Sequence, residues 1–241
     1  MEFVEEPNTE MLGKKAAEYI LDKARELSET KDKIVLALPG GRSIAGILKE
    51  FNNSDDEVWK KIHIFMVDER LVPIEDPESN YKLLLDSFAQ NLIDKNILPK
   101  ENLHPFVMDS NKDDYGTGDY LNSLNEQGGK YDIILLSAGE DGHVGGLFPN
   151  NKTLIVKGIS YVTMMDSPKP PKERMTSSIE LVSSASHAVL LFIGEGKREA
   201  LDAFNNPKLG ILDCPAKLVL WMREGRVFTD LEDEDMIEID N

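Results

Sequence analysis

The stretch Ile34-Val-Leu-Ala-Leu38, followed at once by Pro39-Gly40-Gly41-Arg42-Ser43, decides the predicted fold. Its five apolar residues do not alternate with polar ones, which is typical of a strand buried on both faces of a parallel sheet. Proline and glycine then end the strand, and Ile44–Phe51 resumes apolar residues at helical spacing. The stretch therefore predicts a strand, a glycine loop and a helix in that order.

The same succession recurs along the chain. Upstream, Asn8 or Thr9 can cap a helix that runs toward Thr30, because apolar residues recur there at three- and four-residue steps. Downstream, strands are predicted at 62–67, 131–137, 187–193 and 217–222, and helices at 80–92, 113–127 and 197–204. Repeated strand, loop and helix units predict an α/β fold, with a mainly parallel sheet flanked by helices in a single domain.

Composition sets limits on function. The 241 residues are 41% hydrophobic and carry a formal net charge of −17, so nucleic acid and anionic membranes are poor partners. No apolar run approaches the roughly 20 residues of a membrane helix, and the acidic N-terminus lacks the features of a secretion signal. Cys214 is the only cysteine, which fits a reducing compartment. We expect a cytoplasmic protein with one domain at 1–229 and an acidic tail at 230–241.

The loops that follow the strands are the places to seek chemistry, because ligands of open parallel sheets bind at the carboxyl ends of the strands. The first such loop is Gly40-Gly41-Arg42-Ser43. Its glycines let a ligand approach the backbone, and the following helix start favours a phosphate. Arg42 adds a bidentate donor and Ser43 a hydroxyl. A plain turn would also account for the two glycines.

Two further loops carry ionisable groups. Asp68-Glu69-Arg70 follows a predicted strand directly, although Glu69 and Arg70 could also form an inconsequential surface ion pair. Gly139-Glu140-Asp141-Gly142-His143 brings Asp141 and His143 close enough to meet through a turn. A carboxylate beside an imidazole fixes its tautomer and raises its basicity, which favours a general base.

Other patterns are missing or weaker. The four histidines show no metal-ligand spacing, and His63 and His187 fall in strands, so both are interpreted as structural and no metal is expected. Arg174 ends a proline-rich loop and Lys197 begins a helix. A basic residue at a helix start opposes the helix dipole, which favours a bound phosphate, although a lysine reaching solvent is the alternative.

The motifs Asp68-Glu69-Arg70-Leu71-Val72-Pro73 and Ser79-Asn80-Tyr81, then Gly139-Glu140-Asp141-Gly142-His143 with Leu147-Phe148-Pro149, resemble the 6-phosphogluconolactonase family. That family shares a superfamily with glucosamine-6-phosphate deaminase. The resemblance implies a Rossmann-like fold, a cytosolic enzyme without a cofactor, and hydrolysis of a phosphorylated sugar lactone.

The resemblance also implies roles for particular residues. His143 corresponds to the family's general base and Asp141 to its partner acid, while Asp68 and Arg70 would lie near the sugar. The phosphate site would comprise Gly40, Gly41, Arg42, Ser43, Arg174 and Lys197. The first loop departs from the usual Ser-Gly-Gly-Ser-Thr-Pro, because it gains Arg42 and loses two hydroxyls.

Two alternatives remain. Deaminases of amino-sugar phosphates follow Asp-Gly-His with Asn-Glu-Pro and have tyrosine at the position of Arg70, whereas this chain has Leu147 and Phe148. A non-catalytic sugar-phosphate sensor would not need the general base that Asp141 and His143 supply. The expected assembly is a monomer or a weak homo-oligomer.

Overall fold

A computed structural model describes residues 1–231, so the expected acidic tail lies outside the described residues from position 232 onward. The strands are β1 (Glu2–Glu5), β2 (Ile34–Leu38), β3 (Ile62–Met66), β4 (Asp68–Arg70), β5 (Ile133–Ser137), β6 (Tyr161–Met164), β7 (Arg174–Ser177), β8 (His187–Phe192) and β9 (Glu224–Thr229). The helices are α1 (Thr9–Ser28), α2 (Ala45–Asn52), α3 (Asn80–Leu84), α4 (Gln90–Asp94), α5 (Thr117–Asn125), α6 (Ile179–Ser183) and α7 (Arg198–Asn205).

Six strands form one parallel sheet in the order β1-β9-β8-β5-β2-β3. Every residue of β2 and β8 is buried, as is every residue of β5 except Ser137 at its end. Helix α1 packs against α2 and against strands β2, β5, β8 and β9. The predicted α/β fold with a mainly parallel sheet in a single domain is confirmed.

A second sheet was not predicted. Strands β4, β7 and β6 form a small antiparallel sheet in which Asp68 pairs with Thr176, and Arg70 with Arg174. Asp68–Arg70 was predicted in a loop and Arg174 at the end of one, and both predictions are wrong. The strands have only three or four residues and carry charges, so they lack the apolar run that marks a buried strand.

Helix boundaries follow from capping and packing. The Asn8 side chain accepts a hydrogen bond from the Met11 amide at 3.0 Å, which caps α1 as predicted. The helix predicted at 80–92 is one helical segment in which the π-helical turn Leu85–Ala89 joins α3 to α4. The Ser79 hydroxyl caps it by accepting from the Lys82 amide at 3.1 Å.

The strand predicted at 217–222 is wrong. Residues Pro215–Trp221 form a 3-10 helix, and the last strand of the sheet in chain order is β9, which lies between β1 and β8. Lys217 is buried, and its ammonium donates to the Leu209 carbonyl at 2.8 Å. The apolar residues that surround Lys217 in sequence do not indicate this hydrogen bond. Strand β9 was missed because Glu224, Gly225 and Arg226 interrupt its apolar pattern.

The carboxyl ends of the parallel strands meet at one edge of the sheet. The Asp230 carboxylate, directly after β9, accepts a hydrogen bond from the Gly194 amide at 2.8 Å and so joins two of the strand-end loops. Leu231 is buried in the core. Within residues 1–231, no helix has the length and apolar character required to cross a membrane.

Candidate active site

A cleft of about 290 Å³ lies where the carboxyl ends of the parallel strands meet the antiparallel sheet. Eight of the ten predicted site residues line it: Gly40, Gly41, Ser43, Asp68, Arg70, His143, Arg174 and Lys197. The parallel sheet supplies the glycine loops and His143, and the antiparallel sheet supplies Asp68, Arg70 and Arg174.

His143 and Asp141 form a hydrogen-bonded pair beside the cleft. Nδ1 of His143 lies 2.5 Å from Oδ1 of Asp141, and the His143 amide also donates to this oxygen at 3.3 Å. Partial burial opposes ionisation of Asp141, but the hydrogen bonds and charge of His143 prevail and lower the pKa of Asp141 to about 2. An ionised Asp141 holds the proton on Nδ1, so that Nε2 is left as the acceptor.

The imidazole of His143 is held from two sides. A Cβ on Gly139 would lie 2.0 Å from the imidazole, so only glycine admits His143 at this position. The ring of Phe148 packs on the other side, with ring centroids 4.4 Å apart. These contacts fix the orientation of the imidazole beside the cleft.

Arg174 is both a cleft residue and an anchor. It is 7% exposed, and its guanidinium lies 3.5 Å from the carboxylate of the equally buried Asp68. It also donates to the carbonyls of Pro170 and Pro171, each at 3.0 Å. Burial lowers the pKa of Arg174 below its usual value, and Asp68 opposes the shift. Arg174 therefore ties the proline-rich loop to the antiparallel sheet.

Glu69 does not form a surface ion pair with Arg70. It is 2% exposed, and its carboxylate accepts from the amides of Asn80 and Tyr81, each at 2.7 Å, at the start of α3. Burial raises the pKa of Glu69, while the backbone hydrogen bonds oppose the shift. Arg70 instead pairs with Glu78, whose carboxylate lies 3.6 Å away.

Asn80 lines the cleft, although its sequence motif alone did not predict a site residue at this position. Its side-chain amide donates to the Asp68 carbonyl at 2.8 Å. A Cβ on Gly40 would lie 1.8 Å from Oδ1 of Asn80, so the first glycine loop and α3 touch here. This contact explains why glycine is required at position 40 and could not be deduced from one strand-end loop alone.

Lys197 and Ser43 complete the polar lining. Burial lowers the pKa of Lys197, and the charge of Glu140 opposes the shift. The Ser137 hydroxyl donates to that of Ser43 at 2.9 Å, which leaves the Ser43 proton available to the cleft. Lys169, from the proline-rich loop, also faces the cleft, and its ammonium lies 3.5 Å from Glu140.

Arg42 does not line this cleft. It is exposed and lines a neighbouring cavity that shares Gly41, Arg70 and Asn80 with the cleft, so the predicted grouping of Arg42 with Ser43 is wrong. The 3-10 turn Arg42–Ile44 explains the difference, because consecutive side chains of a tight turn point in different directions. In residues 1–231, no group of three or more potential metal ligands comes together.

Comparisons with known proteins identify the family of this chain. The family described as glucosamine-6-phosphate isomerases/6-phosphogluconolactonase matches residues 7–229. A 6-phosphogluconolactonase of Borreliella burgdorferi is 35% identical over 190 residues, which cover 78% of this chain and 80% of the relative.

Solved structures share the fold. A 6-phosphogluconolactonase from Thermotoga maritima superposes with a TM-score of 0.78 at 23% identity, covering 94% of this chain and 97% of that one. A monomeric glucosamine-6-phosphate deaminase also superposes with a TM-score of 0.78 at 23% identity, covering 95% and 97%. The fold alone therefore does not separate the two activities. The match over residues 7–229 and the relative at 35% identity show that the chain belongs to the glucosamine-6-phosphate isomerase/6-phosphogluconolactonase family.

Proposed function

We propose that this protein hydrolyses 6-phospho-D-glucono-1,5-lactone to 6-phosphogluconate, a step of the oxidative pentose phosphate pathway. The observation that carries the proposal is the His143–Asp141 pair, with 2.5 Å between Nδ1 and Oδ1, beside a cleft lined by cationic side chains. The similarity to a curated 6-phosphogluconolactonase, at 35% identity, supports the same substrate.

The proposed reaction uses His143 as a general base. Nε2 takes a proton from water while the water oxygen attacks the lactone carbonyl carbon, and the carbonyl becomes a tetrahedral oxyanion. The oxyanion collapses, the bond from this carbon to the ring oxygen breaks, and protonated His143 returns its proton to that oxygen. The carboxylic acid product then loses its proton to solvent.

Neither a metal nor an organic cofactor enters this scheme, because a lactone is already an activated ester. Arg70 and the amides of the Gly40–Ser43 loop line the same cleft and are available to stabilise the oxyanion. The first amides of a helical turn lack partners within that turn, so this loop can also hold a phosphate.

We assign the 6-phosphate to the side of the cleft formed by Gly40, Gly41, Ser43, Arg174 and Lys197. Arg174 has two guanidinium nitrogens engaged by carbonyls of the proline-rich loop, whereas the ammonium of Lys197 has no hydrogen bond or ion pair within residues 1–231. Lys197 therefore has all three donors available for the phosphate. Asp68 and Arg70 border the remaining part of the cleft and would face the sugar.

Acid release from freshly generated 6-phosphogluconolactone, followed against the spontaneous rate, tests the proposal. We expect the purified protein to accelerate release many-fold. Ammonia release from glucosamine 6-phosphate would instead establish the deaminase alternative, and binding of 6-phosphogluconate without acceleration of either reaction would establish a sensor.

We further propose a cytoplasmic monomer or weak homo-oligomer. The buried Cys214 cannot form an internal disulfide, which agrees with a reducing compartment. One chain supplies every residue of the cleft described above, so the proposed chemistry does not require a second copy. Light scattering coupled to size exclusion, together with activity measured across protein concentrations, tests the assembly.

A further inference from the structure

One buried cation has no place in the proposed hydrolysis. Lys217 lies in the 3-10 helix Pro215–Trp221 and is 7% exposed, and no carboxylate in residues 1–231 pairs with it. Its ammonium instead donates to the backbone carbonyls of Asn206 and Leu209, the latter at 2.8 Å. Burying a charge without an ionic partner is costly, and here two carbonyl groups offset that cost.

These two hydrogen bonds close the loop 206–214, which connects α7 to the 3-10 helix. Within the loop, the Cys214 amide donates to the Gly210 carbonyl at 2.9 Å, and the Gly210 amide donates to the Asp213 carboxylate at 2.9 Å. Lys217 joins the first half of the loop to the start of the 3-10 helix that follows it. The position of this helix start therefore depends on the ammonium of Lys217.

The closed loop holds the turn that carries the proposed base. Gly142 has a φ of +79°, which favours glycine, and it separates Asp141 from His143. Its carbonyl accepts from the Ala216 amide at 2.9 Å. Cys214 packs against Gly142 so closely that a Cβ added to the glycine would lie 2.8 Å from Sγ of the cysteine. A shift of the loop would therefore displace the turn on which the Asp141–His143 hydrogen bond depends.

The same loop contacts the segment that packs on the imidazole. The Leu212 carbonyl accepts from the Asn150 amide at 2.8 Å, two residues after Phe148. The ring of Phe148 contacts the His143 imidazole, with ring centroids 4.4 Å apart. The loop 206–214 and the helix start that follows it are thus tied to the chain on each side of His143, at Gly142 and at Asn150.

We infer that Lys217 is a positioning residue for the proposed reaction, because it fixes the loop 206–214 and through that loop keeps the His143 imidazole on Asp141. The inference rests on the proposed function. Lys217 lies outside the cleft, so it acts through the backbone that it holds. Its loss should lower the share of neutral His143 that carries its proton on Nδ1, and the rate should fall with that share, while the cations of the cleft stay in place.

Lys217→Met tests the inference, because methionine has a long unbranched side chain like that of lysine but lacks its donors. We expect kcat for the phosphorylated lactone to fall ~10-fold or more, and KM to change less than about twofold. Nitrogen-15 spectra of the imidazole, recorded on the folded protein without substrate, should show less of the tautomer protonated on Nδ1. Lys31→Met is the matched control, since it removes a lysine that pairs with the buried Asp132 outside the cleft, and it should change neither kcat nor the tautomer.

A second variant keeps the test decisive if Lys217→Met does not fold. Cys214→Val places a branched side chain against Gly142 and should change kcat and the tautomer in the same direction. The parent tautomer in folded Lys217→Met, or in Cys214→Val if only that variant folds, would overturn the inference, as would equal changes in Lys31→Met. If the parent chain does not hydrolyse the lactone, the proposed function fails, whereas the imidazole spectra still test the positioning.

Discussion

The two sheets contribute to the candidate site in different ways. The parallel sheet is a buried framework whose strand-end loops carry glycines and the His143–Asp141 pair. The antiparallel sheet is short and polar, and it places the buried pair Asp68 and Arg174 on the opposite wall. The larger sheet therefore holds the loops that carry the proposed base, whereas the smaller sheet holds a buried pair of opposite charges.

This division has an energetic basis. Loops at strand ends have accessible backbone, and the His143 side chain that one of them carries keeps 17% of its surface exposed. A charge inside a strand is desolvated and must be paired, as with Arg174. Substitutions in the two sheets should therefore separate into effects on rate and effects on stability.

Removing His143, the proposed general base on a loop of the parallel sheet, should have the largest effect on activity. We expect His143→Ala to lower kcat by ~10²–10⁴-fold, because the general base is lost, while binding of 6-phosphogluconate survives. Steady-state kinetics and calorimetric titration of the product measure the two quantities. His63→Gln is the matched control, since His63 lies in β3 of the same sheet but outside the cleft. Retention of more than about half the parent rate would exclude His143 as the base.

Removing the buried cation of the antiparallel sheet should instead reduce stability. Arg174→Ala leaves Asp68 buried without its partner, and such a loss costs about 3–5 kcal/mol of unfolding free energy. Urea unfolding followed by circular dichroism measures it. Arg25→Ala, which breaks exposed pairs with Asp22 and Asp56, should cost no more than about 1 kcal/mol. Equal losses in the two variants would mean that the smaller sheet does not depend on its buried pair.

The same contrast explains what the sequence could and could not predict. Strands such as Ile34–Leu38 are continuous apolar runs, so β2, β3, β5, β8 and the glycine loops were predicted from pattern alone, whereas β1 and β9 of the same sheet were not. Arg174–Ser177 has no such run, and its place in a strand depends on pairing with Asp68–Arg70, more than a hundred positions away. Contacts of this kind, including Asn80 against Gly40, are set by tertiary packing and leave no local signal.

Arg42 shows that side-chain direction could not be predicted from the sequence even within a correctly predicted loop. The sequence placed Gly41, Arg42 and Ser43 beside one another, and the structure separates the Arg42 side chain from its neighbours by the turn that it begins. Spacing predicts which residues share a loop, whereas the direction of each side chain depends on backbone angles that one sequence does not specify.

A loop cation of the parallel sheet should affect substrate binding without affecting stability. We expect Lys197→Ala to raise KM for the phosphorylated lactone by ~10–100-fold, the equivalent of one charge-assisted hydrogen bond, with kcat changed only a few-fold. The preference of this variant for the phosphorylated lactone over unphosphorylated gluconolactone should decrease by the same factor. Its unfolding free energy should stay within about 0.5 kcal/mol of the parent value. Lys208→Ala, at an exposed loop lysine, is the control. An unchanged ratio between the two lactones would place the phosphate elsewhere.

The last and smallest effect concerns the outer edge of the parallel sheet, where acid should weaken the fold. His104 stacks on Phe65 of β3 with ring centroids 4.3 Å apart, and Nε2 lies 3.1 Å from Nδ1 of His63. Burial, with smaller contributions from His63 and Lys33, lowers the pKa of His104 from 6.5 to about 4. As the pH falls through 6.5, the unfolded chain binds a proton that the folded chain binds only near 4, so stability is lost across that window.

Protonation of His104 alone should lower the unfolding free energy by about 2 kcal/mol between pH 7 and pH 5. His104→Phe keeps the aromatic contact with Phe65 and removes the titration, so its unfolding free energy should decline less over the same interval, by about that amount. Urea unfolding at the two pH values, for parent and variant, gives the difference. Identical declines of the unfolding free energy in both proteins would show that His104 is not a source of the acid sensitivity. The carboxylates of the antiparallel sheet would then be the next groups to test.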